Sequence, residues 1–252
     1  MAKIIAIANQ KGGVGKTTTC VNLCAALTKQ NKRVLLCDMD PQGNATSGLG
    51  VDKNKAEPNM YNVLIDGVQA ENVIVTTPFG DVMPSNKILS GAGIELVTTN
   101  DREFVLKNVL ASVRDKYDYI LIDCPPSLEM LTLNSLCACD TVLIPVQCEY
   151  FALEGLSDLI STIRMIKKAL NPAIDIEGVL LTMYDSRTNF SAQVAAEIKK
   201  FFNNKVYTVS IPRNIRLAEA PSHGLPVTEY DKYSRGSLAY IELAKELVKR
   251  NT

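Results

Sequence analysis

The sequence predicts an α/β fold with a doubly wound, mostly parallel sheet flanked by helices. Three observations support this prediction. Short, almost continuously apolar runs rich in Val, Ile and Leu recur along the chain, as is typical of buried parallel strands. Segments of helical periodicity separate these runs and are long enough to form the crossovers between parallel strands. A glycine-rich loop, Lys11–Thr18, connects the first apolar run to the first helical segment.

The same patterns place five strands and six helices along the chain. The predicted strands are Ile4–Asn9, Arg33–Asp38, Tyr119–Asp123, Thr141–Val146 and Gly178–Met183. The predicted helices are Lys16–Gln30, Asp101–Lys116, Leu128–Cys137, Leu153–Leu170, Ser191–Phe202 and Ser234–Lys249. Residues 41–100 are rich in Gly, Asn and Pro, so we expect loops, short helices and one extra strand there. Because repeats, low-complexity tracts and linkers are absent, we expect residues 1–252 to form one domain.

Composition excludes several classes of protein. With 252 residues, of which 46% are hydrophobic and 21% charged, the chain is not of the disordered class. It has no apolar run of about 18 residues that could span a membrane. Its first residues lack the apolar core and cleavage site of a signal peptide, so we expect a cytosolic protein. Seven cysteines, an odd number, and a single histidine, His223, favour buried free thiols over disulfides or a metal site.

The distribution of charge is uneven. Lys and Arg number 27, as do Asp and Glu, so any contact with nucleic acid must come from a local patch. Residues 185–252 carry 11 basic and 7 acidic side chains and form the net-basic third of the chain. The basic residues that we expect to form the patch are Arg187, Arg213, Arg216, Lys199 and Lys200. A single arginine on a surface usually has no such role, and His223 in its loop either contacts DNA or is structural.

The loop Lys11–Thr18 has the composition and context of a phosphate-binding loop. Its glycines allow backbone N–H groups to turn inward around phosphate oxygens, and the helix N-terminus that follows adds the positive end of a dipole. Lys16 can reach the β- and γ-phosphates, and the Thr17 hydroxyl can bind Mg²⁺. The alternative is a glycine-rich turn that only begins a helix. The nucleotide-binding residues of this loop are Lys11, Gly12, Gly13, Val14, Gly15, Lys16, Thr17 and Thr18.

The loop departs from the strict G-x-x-x-x-G-K-T pattern. Gln10 occupies the position of the first glycine, and a second lysine, Lys11, stands five residues before Lys16. Phosphoryl transfer requires positive charge on the transition state, which another chain often supplies. Lys11 is therefore either a lysine that acts across a dimer interface or a solvated lysine at a strand end. Spacing alone does not decide between these two alternatives.

Two further apolar runs end in aspartate. Asp38 and Asp40 follow one run, and they share a face if the strand continues through both. Ligands of open α/β sheets bind at the carboxyl ends of the strands, which would place Asp40 near the γ-phosphate, where it could orient the attacking water. The alternative is that both aspartates cap a loop. Asp123 ends the run that begins at Tyr119, which is the Walker B pattern for holding Mg²⁺.

These motifs together resemble a known family. Lys11–Thr18 is similar to the deviant Walker A signature of the ParA/MinD class of P-loop ATPases. The segments Asp38–Thr46, Ile122–Ser127 and Ile211–Ser222 closely resemble further motifs of ParA/Soj partition proteins. The resemblance extends from residue 3 to about residue 248, which is nearly the whole chain.

The resemblance implies an ATPase that forms a nucleotide-sandwich dimer, binds DNA without sequence preference and is stimulated by a ParB-type partner, in chromosome or plasmid partition. By motif position, Lys11 is the signature lysine that reaches the partner subunit's nucleotide, and Lys16 is the phosphate-loop lysine. The remaining roles implied by the resemblance are Mg²⁺ binding for Thr17 and Asp123, hydrolysis for Asp40, adenine contact for Pro212 and Asn214, and DNA contact for Arg187 and Arg216.

Two other functions stay open at this point. One is a membrane-associated cell-division positioner of the MinD type, although the last helix lacks Trp and Phe and looks necessary for the core. The other is a metabolic P-loop enzyme that phosphorylates or amidates a small molecule, which would not need Lys11 to act in trans. Because the phosphate loop begins at residue 11, we expect no N-terminal helix-turn-helix domain and no repressor activity.

Overall fold

A seven-stranded sheet runs through the part of the protein that the structure describes. The computed structural model describes residues 1–149, 152–185 and 187–251. The strands are β1 (Lys3–Ile7), β2 (Val34–Asp38), β3 (Val75–Thr77), β4 (Gly80–Met83), β5 (Tyr119–Asp123), β6 (Thr141–Gln147) and β7 (Asp175–Thr182). Their order is β3-β4-β2-β5-β1-β6-β7, and every neighbouring pair is parallel except the hairpin of β3 and β4. The predicted fold class is confirmed.

Strand register places the acidic residues side by side. In β2 and β5, Asp38 is paired in register with Asp123, and both are the last residues of their strands. On the other side of β5, Asp123 is in register with Ile7, the last residue of β1. The carboxyl ends of β1, β2 and β5 therefore meet at one point of the sheet edge, directly before the glycine-rich loop.

Helices cover both faces of the sheet. The longer ones are α1 (Lys16–Thr28), α6 (Met130–Ala138), α7 (Ala152–Ala169), α8 (Asn189–Phe202) and α11 (Arg235–Arg250). The shorter ones are α2 (Asn44–Gly48), α3 (Met60–Leu64), α4 (Leu89–Glu95), α5 (Val105–Ala111), α9 (Ile215–Glu219) and α10 (Val227–Tyr230).

Alternate residues of the central strands enter two separate hydrophobic clusters. In β1, Ile4 and Ala6 pack with residues of α5, α6, α7 and α8, whereas Ile5 and Ile7 pack with residues of α1 and α11. This alternation follows from the two-residue period of a strand, and it explains why the strands are apolar on both faces.

The structure differs from the sequence-based expectations in two places. Residues 41–100 contain two strands, not one, because β3 pairs with β4 as an antiparallel hairpin at the sheet edge. The helix expected over Asp101–Lys116 is shorter, since Asp101 adopts a left-handed conformation with φ 51° and the α-helix spans only α5.

All seven cysteines are buried and free, as expected from the sequence. Burial raises the pKa of the Cys124 thiol to about 12 and that of Cys137 to about 11, so both are neutral thiols at physiological pH. His223 stacks on the ring of Tyr230, with 4.9 Å between ring centroids, which favours its structural alternative. None of the helices in the described part of the chain is long and apolar enough to cross a bilayer.

Candidate nucleotide-binding site

The glycine-rich loop leads directly into α1. Gly13 and Gly15 have φ values of 74° and 90°, a region in which residues with a Cβ are strained. Gly15 is the N-cap of α1 and has no side chain that could accept from the first N–H groups of the helix. These N–H groups therefore remain available to an anion bound by the loop.

Residues of two other strands hold the loop in place. The Thr182 hydroxyl, at the end of β7, donates to the carbonyl of Val14 at 2.8 Å. Asn9, just after β1, donates from Nδ2 to the Pro145 carbonyl at 2.8 Å, and its Oδ1 accepts from the Lys11 N–H at 3.0 Å. The loop is thus fixed to β6 and β7 as well as to its own strand and helix.

Lys16 is the first residue of α1, and its ammonium group is buried inside the loop. Its Nζ donates to the Lys11 carbonyl at 2.9 Å, and the residue is only 7% exposed. Burial lowers the pKa of this ammonium, while the nearby carboxylates of Asp123 and Asp40 oppose that effect. A lysine held across its own loop by a main-chain carbonyl is placed to exchange this bond for a phosphate oxygen.

Asp123 is fully buried at the end of β5. Neither of its carboxylate oxygens makes a hydrogen bond at bonding geometry within the described part of the chain. Burial, and next the charge of Asp38, raise the pKa of this carboxyl well above its usual range, although Thr17 and Cys20 on α1 partly oppose the rise. A buried carboxylate without a partner is costly unless a cation neutralises it. Asp123, with Thr17 beside it, therefore fits a Mg²⁺ ion that takes most of its other ligands from phosphate and water.

Asp38 is equally buried but has a full set of donors. Its Oδ2 accepts from the N–H and the hydroxyl of Thr46 at 2.8 and 2.7 Å, and its Oδ1 accepts from the Asp40 N–H at 3.2 Å. Burial raises the pKa of Asp38 to about 6, and these hydrogen bonds oppose the rise. Asp38 thus fixes the start of α2 to the end of β2.

Asp40 lies in the turn after β2, because the strand ends at Asp38. The two aspartates therefore do not share a strand face, and the loop-capping alternative describes their hydrogen bonds. The Asp40 carboxylate accepts from the Gln42 N–H at 2.9 Å, and its main-chain carbonyl accepts from the Ser85 hydroxyl at 2.9 Å. Asp40 remains partly exposed, and its charge acts on the Lys16 ammonium, so it borders the phosphate loop.

A mostly apolar cavity of about 460 Å³ adjoins the phosphate loop. Its lining includes Gly15 and Thr18 at the start of α1 and Pro212, Arg213 and Asn214 from the segment before α9. Asn214 caps α9 by accepting from the Arg216 N–H at 2.8 Å, and its amide nitrogen makes no hydrogen bond to the described residues. The structure thus brings the two residues expected at adenine next to the loop. An aromatic base fits an apolar slot that offers one free amide donor.

The Lys11 side chain leaves the loop toward α7. A Cβ atom placed on Gly155 of α7 would lie 3.1 Å from the Cε atom of Lys11, so the aliphatic stem of the lysine rests against this glycine. Lys11 and Lys16 thus belong to one loop but extend to different surroundings. This position is compatible with a lysine that serves a nucleotide other than that of its own subunit.

The basic residues expected to contact DNA are not all in one place. Arg187 and Arg213 line a common cavity together with Arg235. Arg216 lies on α9 between two carboxylates, Glu219 at 2.8 Å and Asp231 at 3.3 Å. Lys199 and Lys200 are exposed in the last turn of α8 and do not line that cavity.

Some residues of the site were missed by sequence reasoning. Asn9, Thr46, Ser85 and Thr182 position the loops through the hydrogen bonds described above. Thr182 carried a detectable signal, because it stands near the carboxyl end of a predicted strand, as Asp38 and Asp123 do. Ser85 carried none, since its role depends on β4 lying next to β2.

Comparison with known proteins agrees with the geometry of the phosphate loop. A family described as an AAA domain matches residues 2–176. The sporulation initiation inhibitor protein Soj of Bacillus subtilis (strain 168) is 58% identical over 249 residues, which cover 98% of both chains. The chromosome partitioning protein ParA of Myxococcus xanthus (strain DK1622) is 49% identical over 254 residues, covering 100% of this chain and 90% of that protein.

A solved structure has the same fold over nearly its whole length. Cobyrinic acid a,c-diamide synthase from Mycobacterium smegmatis, crystallised with ADP and magnesium, superposes with a TM-score of 0.87 at 38% identity. The alignment covers 99% of this chain and 95% of that one. The ligands of that structure agree with the ATP and Mg²⁺ expected for the phosphate loop.

Proposed function

Because the chain belongs to the ParA/Soj family of chromosome-partitioning ATPases, we propose that it is an ATP-driven switch that binds DNA as a dimer and releases it after hydrolysis. It is an ATPase and uses ATP with Mg²⁺, and its relatives act in segregation. The observation that carries the proposal is the phosphate loop with two lysines, of which Lys16 is buried within the loop and Lys11 extends toward α7.

Within one subunit, each side chain has a distinct role. The N–H groups of the loop and Lys16 bind the phosphates, and the cavity beside Pro212 and Asn214 holds the base. Thr17 and Asp123 would hold Mg²⁺, which neutralises phosphate charge when bound. Asp40, at the border of the loop, orients the attacking water.

Between two subunits, Lys11 completes the site. We propose that its side chain leaves Gly155 and reaches the γ-phosphate of the partner's nucleotide when two subunits meet face to face. The residues 1–252 act as one ATPase domain in this assembly. The dimer joins two basic surfaces into one DNA-binding platform, and loss of the γ-phosphate after hydrolysis removes the contacts that hold it closed.

Two interactions regulate this cycle in the proposal. Non-specific double-stranded DNA, the nucleoid in a cell, is the track to which the ATP-bound dimer binds. A ParB-type partner protein stimulates hydrolysis and thereby releases the dimer. The proposal includes no contact with membrane.

Sedimentation velocity tests the proposal when it is run without nucleotide, with ADP and with ATP, each with and without duplex DNA. We expect the dimer to form with ATP, but not with ADP or without nucleotide. We expect DNA binding only when ATP is present. Lys16→Ala should lose nucleotide binding, because it removes the buried charge directed at the phosphates. Lys11→Ala should still bind ATP as a monomer yet fail to dimerise. An ATP-dependent dimer of Lys11→Ala would contradict the role of Lys11 in trans.

The same preparation distinguishes the alternative functions. ATP turnover is measured with duplex DNA, with liposomes and with carboxylated small molecules plus an amide donor. The last arm is included because the M. smegmatis structure carries the name of an amide-forming synthase. Stimulation by liposomes or dependence on a small acceptor, without any effect of DNA, would replace the partition proposal.

A further inference from the structure

A cavity of about 330 Å³ lies between the segment after β7 and the start of α11. It contains no residue of the phosphate loop, but it shares Pro212 and Arg213 with the cavity that adjoins that loop. Three arginines from different parts of the chain surround it. Arg187 comes from the segment after β7, Arg213 from the loop before α9, and Arg235 is the first residue of α11. The rest of the lining is Tyr184, Asp185 and Pro212.

The charges in this cavity do not balance. Asp185 is the one carboxylate in its lining, and it is bound to Arg187, with Nε–Oδ1 and Nη2–Oδ2 distances of 2.9 and 2.7 Å. Neither Arg213 nor Arg235 forms a salt bridge with the described residues, although the charge of Arg213 contributes, after Arg187, to lowering the pKa of Asp185. A concave surface with three guanidinium groups and one carboxylate attracts an anion, and guanidinium groups favour the several acceptor oxygens of a phosphate.

Arg216 shows the contrasting case. Its guanidinium is compensated by Glu219 and Asp231, so binding a phosphate there would require displacing two carboxylates. Arg235, by contrast, is uncompensated, and the chain places it next to Arg213 only through the packing of α11.

We propose that this cavity seats one backbone phosphate of DNA, with Arg213 and Arg235 as its ligands and Asp185 as a competing group that masks Arg187. The assignment rests on the proposed DNA binding and names residues for it. Asp185 also accepts from the Arg187 N–H at 3.0 Å, so it shapes the loop as well as holding the side chain. Arg187 becomes a further ligand only when its guanidinium leaves this carboxylate, with which it forms two side-chain hydrogen bonds.

Substitutions at the two positions should therefore act in opposite directions. Arg235→Ala removes a ligand of the phosphate and should weaken DNA binding. Asp185→Asn keeps an oxygen that can accept from the Arg187 N–H but removes the competing charge, and it should strengthen DNA binding several-fold. A change that merely disturbs the fold would not strengthen binding.

Fluorescence anisotropy with a labelled duplex, in ATP and over a range of salt concentrations, measures both effects. Each neutralised phosphate contributes about 0.9 to the slope of log K against log salt, so Arg235→Ala should lower the slope by about 2 in a dimer with two seats. Lys245→Ala is the matched control, because it removes one positive charge from an exposed position further along α11. Its slope should equal that of the parent.

Each outcome is decisive for the seat. If the parent binds DNA and both Arg235→Ala and Asp185→Asn have the slope and affinity of the parent, the proposed phosphate site in this cavity is wrong. The proposed function would still stand in that case. Absence of ATP-dependent DNA binding in the parent would instead refute the proposed function. Titration of the parent with inorganic phosphate and pyrophosphate, without DNA, gives the remaining arm. Tight binding of either anion that is lost in Arg235→Ala would reassign the cavity to a free anion.

Discussion

At the scale of single residues, two buried carboxyl groups at neighbouring strand ends have different environments. Asp38 and Asp123 are paired in register, yet Asp38 accepts three hydrogen bonds while Asp123 makes none to the described residues. The same residue type is therefore structural at one strand end and open to a ligand at the next. The pattern of an apolar run ending in aspartate does not distinguish these two roles.

The pKa shifts of these carboxyl groups predict how stability depends on pH. The pKa of Asp38 rises from 3.8 to about 6 on folding, and burial raises that of Asp123 as well. A raised folded-state pKa means that the native state binds more protons than the unfolded chain. The contribution of this protonation to the free energy of unfolding is therefore lost as pH rises through the folded-state pKa. For Asp38 the loss falls between about pH 4 and pH 6 and amounts to about 3 kcal/mol.

The variant Asp123→Asn tests this dependence without nucleotide. Because it removes one of the two titrating groups, its free energy of unfolding should fall less than that of the parent between pH 5 and pH 7.5. Urea denaturation at several pH values measures the difference. Identical pH profiles for the two proteins would contradict the raised pKa of Asp123.

Gly12 provides a second prediction at this scale. A Cβ atom at Gly12 would meet nothing within 4 Å, and its φ is not in the left-handed region, so Gly12→Val fits the isolated subunit. If two phosphate loops approach each other at this point, the valine should prevent the ATP-dependent dimer while leaving ATP binding nearly intact.

Sedimentation with ATP and titration with a fluorescent nucleotide together measure these two effects. Gly93→Val is the matched control, since Gly93 on α4 also has open space around its Cβ position. An ATP-dependent dimer of Gly12→Val would place the interface elsewhere on the subunit.

At the scale of elements, the loop after β4 supports the loop after β2. The Ser85 N–H donates to the Thr46 hydroxyl oxygen at 2.9 Å, and that hydroxyl donates to Asp38. The Ser85 hydroxyl donates in turn to the carbonyl of Asp40. Gly43 permits the close approach, because a Cβ atom there would lie 2.5 Å from the Ser85 carbonyl oxygen. The position of Asp40 thus depends on an element more than 40 residues away in the chain.

Thr46→Val tests how much the hydrogen bonds between these two loops contribute to stability. The substitution keeps the shape of the side chain but removes the donor to buried Asp38 and the acceptor of the Ser85 N–H. We expect a loss of about 2–3 kcal/mol in the free energy of unfolding, because a buried charge and a buried N–H each lose a partner.

Chemical denaturation measures the effect. Thr162→Val is the control, because the Thr162 hydroxyl donates to the Asp158 carbonyl within an exposed turn of α7. That variant should change stability by about 0.5 kcal/mol at most. A Thr46→Val protein as stable as the parent would show that the network contributes little.

At the scale of the whole molecule, the parallel sheet brings together candidate functional residues from distant segments. The carboxyl ends of β1, β2, β5 and β7 place the phosphate loop, Asp40, Asp123 and Thr182 at one edge. The clusters on the two faces of the sheet are continuous with helices that follow each strand. The switch proposed here needs this arrangement, since a γ-phosphate at the edge can act on several loops at once.

Asp40→Ala tests the switch as a whole. If Asp40 orients the water, this variant should bind ATP, dimerise and remain bound to DNA, because the γ-phosphate contacts persist while hydrolysis is lost. Phosphate release and the lifetime of the DNA complex after dilution measure the two effects. The parent with ADP provides the control, in which the dimer should not form. Normal hydrolysis by Asp40→Ala would remove this residue from the mechanism.

The sequence by itself determined the fold class, most strand and helix positions and the phosphate loop. These features depend on local information, namely hydrophobic period, glycine placement and residues adjacent in the chain. Even the strand Tyr119–Asp123 has the same bounds in the prediction and in the structure. The family resemblance followed from motifs of the same local kind.

The tertiary structure alone decided which of the polar residues meet. Asp38 and Asp123 look alike in sequence, and only the donors brought by Thr46 and Asp40 separate them. In the sequence, Arg216 and Arg187 are equal candidates for DNA contact. The fold places Arg216 between two carboxylates, and it brings Arg235 into the cavity that Arg187 lines. The physical reason is that charge compensation and desolvation depend on neighbours contributed by distant segments, which no local pattern records.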